Sequence, residues 1–62
     1  MKRKDLIKLL SEHECYFLRH GSNHDIYINS VNNKKSPVPR HNEIKDSLVR
    51  LIKKQLGIET YK

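Results

Sequence analysis

Four histidines stand at positions 13, 20, 24 and 41, and three of them fall between Cys15 and Asn42. That stretch also holds Arg19, Lys34, Lys35 and Arg40 against a single acid, Asp25. Imidazole is the side chain whose unperturbed pKa, about 6.5, lets it both give and take a proton near neutrality. Lysine and arginine contact phosphates and release their counterions. Together these residue types suit the cleavage of RNA. The 2′-hydroxyl is a built-in nucleophile, so a protein need only remove its proton, protonate the leaving oxygen and steady the charged phosphorane. That chemistry requires no metal in principle and no cofactor.

His24 is the first candidate. It follows Gly21-Ser22-Asn23 within RHGSNHDIYIN, residues 19–29. Gly and Asn tolerate the positive φ of tight turns, so this cluster between two β-prone runs reads as a hairpin. His24 then lies at the hairpin rim; the alternative is a hydrogen-bonded turn histidine with no chemical role. Adjacent strand residues point to opposite faces, so His24 and Asp25 do not converge as a dyad or a metal pair. Helical HxxxH or HExxH pairings and cysteine clusters are lacking, which argues against zinc. His20 is expected in the turn and exposed, and His13 is expected to pack against its helix. Arg40 and His41 follow two prolines and could steady a phosphate or a leaving group. Tyr16, Phe17 and Tyr27 could stack on bases. Phe17 is expected in the core, and Tyr27 on the outer face.

Such residues need a scaffold, and 62 residues supply one small domain. A chain of this length buries only about 60% of the surface its unfolded form exposes, too little for an elaborate active-site cavity. Chemistry on an open surface is the expectation. Thirteen Lys and Arg against seven Asp and Glu give a formal charge of +6, which favours a polyanionic partner. Cys15 is the only cysteine, so it has no intrachain disulfide partner. Neither a signal peptide nor a membrane span is read, and the cytoplasm is the default compartment.

Apolar residues at Leu6, Leu9 and Leu10 place a helix over Asp5 to His13. Cys15 to Leu18 and Asp25 to Asn29 read as strands, with Ile26 and Ile28 on the core face and Asp25, Tyr27 and Asn29 on the other. Ser36 to Arg40 carries two prolines, which restrict it to a sheet edge. Beyond His41 to Glu43, a second helix presents Ile44, Leu48, Leu51, Ile52 and Leu56, and Gly57 fits its left-handed cap. A short tail, Ile58 to Lys62, ends the chain. The fold class is therefore α+β: an α-β-β-β-α domain with a three-stranded antiparallel sheet covered by helices on one face.

The helix DLIKLL, the hairpin RHGSNHDIYIN and the segment PVPRHNEIKDSLVRLIKKQLGI follow one another over residues 5–58. In that order and spacing they resemble the HicA family of bacterial type II toxins. The resemblance implies a fold like the double-stranded-RNA-binding domain. It also implies a metal-independent endoribonuclease that cleaves mRNA and arrests translation. Its one catalytic histidine would be His24, acting as general acid or base. The implied partner is a HicB antitoxin that covers the histidine surface and contacts DNA on the toxin's behalf. Asn23 departs from the Gly-Ser-His-His or Gly-Gly-His turn frequent in the family, and Cys15 replaces a bulky residue.

RNA contacts are expected from Arg19, His20, Lys34, Lys35, Arg40, His41 and Tyr27. Two other function classes fit the composition. A noncatalytic double-stranded-RNA-binding module would place a lysine cluster at the start of its second helix, where this chain has Glu43-Ile44-Lys45-Asp46. A basic adaptor would dock an acidic protein. An acidic HicB-like reading frame immediately downstream would favour the toxin.

Overall fold

The computed structural model describes residues 1–58; of the expected tail only Ile58 falls within them, and it is buried. The elements are α1 (Arg3–Glu12), β1 (Cys15–His20), β2 (His24–Asn29), β3 (Lys35–Pro39) and α2 (Asp46–Leu56). The strands form one antiparallel sheet in the order β1-β2-β3, so the expected α-β-β-β-α architecture is found. The proline-bearing strand lies at an edge, where its missing N–H groups leave no ladder bond unmade. Among the described residues no helix is long and apolar enough to cross a membrane.

The core is built from Leu6 and Leu10 of α1, Cys15, Tyr27 and Val38 of the sheet, Ile44, and Val49, Ile52 and Leu56 of α2. Two details of the second helix differ from expectation. It begins at Asp46, so Ile44 is buried by the segment leading into it. Val49 faces the core while Leu51 is 47% exposed. Gly57 does adopt the left-handed cap conformation at φ 71°.

Strand β2 carries the largest correction. Its helix-covered face holds Asp25, Tyr27 and Asn29, while Ile26 and Ile28 lie on the open face. The register fixes this, because Cys15 opposes Asn29, Phe17 opposes Tyr27, and Tyr27 in turn opposes buried Ser36. Tyr27 is therefore in the core and not on an RNA-facing surface. The polar neighbours are buried because they have partners: Asn29 Nδ2 donates to the Leu56 carbonyl at 2.7 Å, closing the end of α2. Phe17 reverses too. It sits at the margin of the same face, 47% exposed, with its ring edge-on to Tyr27.

One irregularity sets up the site. The register shifts between Phe17 and Arg19, leaving Leu18 as an extra residue in β1. A bulge flips the alternation of everything after it. Arg19 thereby opposes Ile26 on the open face, and His20 opposes Asp25 on the helix-covered face.

Candidate active site

The β1–β2 turn is closed by Gly21 N, which donates to the His24 carbonyl at 2.7 Å. A β-carbon at residue 21 would stand 2.7 Å from that same oxygen, so only glycine permits the approach. From beyond β3, Arg40 Nη2 reaches across and donates to the Gly21 and His24 carbonyls at 3.3 and 3.4 Å. The backbone of His24 is thus held from two sides.

The His24 ring is part-buried. Its Nδ1 is shut away from solvent and has no hydrogen-bond partner among the described residues. Burying an unsatisfied polar atom costs about 1–3 kcal/mol. Such orphans are few in native proteins, and catalytic sites are one of the places where they occur. The ring is neither sealed in the core nor fully in water.

Beside it stands a knot around Asp25, whose side chain is 13% exposed. Its Oδ2 accepts from Arg3 Nη2 at 2.8 Å. Its Oδ1 accepts from His20 Nδ1 and Arg40 Nε, each at 3.0 Å. The hydrogen bond from His20, with Arg40 in support, holds the Asp25 carboxyl below its usual value against the opposing effect of burial. Arg3 also donates from Nε to the Pro39 carbonyl at 2.7 Å, tying α1 to the end of β3. One carboxylate therefore joins the first helix, both strands of the hairpin and the segment after β3.

The expected site residues separate into two groups. His20, His24, Arg40 and His41 gather at one end of the sheet, because Pro39 pairs with His24 and His20 with Asp25. Arg19 lies exposed at the same end. Lys34 and Lys35 do not join them. Lys35 pairs with Ile28, four residues along β2 from His24, which at about 3.4 Å per residue is roughly 14 Å away. Arg3 and Asp25 were not among the expected site residues. Nothing local in the sequence marks Arg3, whereas Asp25 carried one signal in being the lone acid between Cys15 and Asn42. Phe17 is a third addition: its ring meets the His20 ring edge-on at 5.0 Å, giving the rim an exposed aromatic surface.

The site is open. A depression of about 270 Å³ lies nearby, lined by Lys2, Arg3, Lys4, Asn42 and Glu43, and neither His24 nor His20 lines it. Cys15 is no candidate nucleophile, since burial pushes its thiol above the ordinary value. What the rim offers is two imidazoles, guanidinium groups and an aromatic ring at the mouth of one hairpin. Those parts suit proton transfer at a bound phosphodiester.

A family model described as the HicA toxin of bacterial toxin–antitoxin systems matches residues 3–58. No curated protein and no solved structure matches the chain.

Proposed function

Given that this chain belongs to the HicA toxin family, we propose that it is an endoribonuclease that cuts mRNA at the hairpin rim, with His24 exchanging the proton. The observation that carries the reading is the state of His24: its backbone is clamped by Gly21 and Arg40 while its ring keeps an unsatisfied, buried Nδ1. Most buried side-chain nitrogens have a partner, and the orphaned Nδ1 sets this ring apart from an ordinary structural histidine. Arg40 and Arg19 bind the phosphate backbone, His41 adds a contact beside Arg40, and the exposed face of Phe17 accepts a base. Lys34 and Lys35 guide the flanking strand at the far end of the sheet. An antitoxin partner neutralises the activity by covering this rim, and the toxin meets DNA only through that partner.

The double-stranded-RNA-binding alternative is disfavoured by the approach to α2. Glu43 and Asp46 stand where such modules place cations on the phosphates.

The test is His24→Ala. Cleavage of a single-stranded RNA is expected to fall by about 100-fold or more, the usual contribution of a positioned acid or base. Melting temperature and affinity for a 2′-O-methylated RNA, which binds but cannot be cut, are expected to hold. Wild-type cleavage by the variant would show the ring to be structural.

A further inference from the structure

Cleavage through the 2′-hydroxyl moves two protons, one from the nucleophile and one to the leaving group, on opposite sides of the phosphorus. His24 accounts for one of them. We propose that His20 is the second proton-transfer residue and that Asp25 is the residue that positions it; the inference rests on the nuclease reading above.

The other histidines are poorly placed. His13 precedes Cys15 and so lies at the Asn29 end of the sheet, away from the hairpin rim. His41 is exposed, and no side-chain hydrogen bond fixes its ring among the described residues. His20 is held. An ionised carboxylate only accepts, so the 3.0 Å contact means that Nδ1 carries the hydrogen and donates it to Asp25. Nε2 of the neutral ring is then left with its lone pair on a side chain 76% exposed. This is how a carboxylate fixes the tautomer and orientation of a general base. The Phe17 ring, edge-on at 5.0 Å, supports the imidazole from another side.

The bulge at Leu18 is what makes the contact. Without it His20 would alternate onto the open face, away from Asp25. With it, His20 lies on the Asp25 face of the hairpin rim and His24 on the other face at the same end of the sheet. Arg40 shares the Asp25 Oδ1 atom with the His20 ring, so a guanidinium stands next to the imidazole. In the step itself, His20 Nε2 takes the proton of the 2′-hydroxyl as the 2′-oxygen–phosphorus bond forms. The bond from phosphorus to the 5′-oxygen breaks, and His24 protonates that oxygen. The products are a 2′,3′-cyclic phosphate and a 5′-hydroxyl end, with Arg40 facing the charge that builds on the phosphorane.

The experiment compares two RNAs, one ordinary and one with sulfur replacing the 5′-bridging oxygen at the cleaved linkage. A thiolate departs without being protonated. His20→Ala and His20→Gln are expected to slow cleavage of both RNAs by about 100-fold, while His24→Ala slows only the oxygen-linked one. Asp25→Asn, checked for folding by circular dichroism, is expected to lower the rate on both at saturating RNA without weakening binding of the 2′-O-methylated strand. Should Asp25→Asn fail to fold, the His20 pair decides the matter alone. Wild-type rates in the His20 variants, or weakened binding with an intact saturated rate, would overturn the proposal and leave the His24 reading standing. Failure of the wild-type protein to cut either RNA would instead overturn the nuclease reading itself.

Discussion

At the scale of single residues, the molecule turns on a carboxylate that sequence inspection treats as a bystander. Asp25 is the acid in a basic stretch, and its neighbours in space come from Arg3, His20 and Arg40. Folding lowers its carboxyl, above all through the His20 hydrogen bond, and that fixes a pH dependence. A carboxyl depressed in the folded state contributes its full stabilisation once the unfolded chain's carboxyl is ionised, above about pH 4. The contribution is lost as pH falls through the lowered folded value. Melting curves from neutrality to strong acid are therefore expected to place Asp25→Asn below wild type near pH 7, with the gap closing below about pH 4. A gap that stays constant with pH would mean that the charge of Asp25 contributes nothing to stability. His24 was legible as the chemical candidate because the turn that positions it is written in three consecutive residues. Arg3 was not, since its contact spans 22 positions.

At the scale of elements, order and type were readable and the orientation of β2 was not. Helical spacing marks α1 and most of α2, and two prolines mark the edge strand. Alternation in β2 shows two faces but does not say which is covered. The usual inference that isoleucines point inward fails here because Asn29 and Asp25 have specific partners under the helices. Asn29 joins two elements: its amide donates to Leu56 at the end of α2, and its Oδ1 accepts from Val31 N at 2.9 Å. Asn29→Ala, at 3% exposure, strands those groups and is expected to cost about 1–3 kcal/mol in chemical denaturation. Asn32, exposed and making a longer 3.2 Å contact to the same carbonyl, is expected to cost less when changed to alanine. Equal losses would assign the closure of α2 to both side chains alike. The bulge in β1 was likewise invisible, because no glycine or proline marks Leu18.

At the scale of the whole molecule, the four basic residues between Cys15 and Asn42 are divided between two ends of one sheet. His24, Arg40 and Arg19 share one end, and Lys34 and Lys35 occupy the other. Length and charge alone suggested an open, polyanion-binding surface, but the division emerges only from the strand register. It carries a prediction. Replacing both Lys34 and Lys35 with glutamine is expected to reduce the dependence of log affinity on log salt by about 1.4 at most, some 0.7 for each phosphate contact on a single strand. The cleavage rate at saturating RNA is expected to be unchanged. A fall in that rate would put these lysines in contact with the reacting phosphate. The convergence on Asp25 also bears on how such a protein is made. The rim is assembled from residues 3, 20, 24, 25 and 40, so a nascent chain cannot complete the contacts around Asp25 until Arg40 has cleared the ribosome. Under the proposed activity, truncated translation products ending before that residue are expected not to cut RNA.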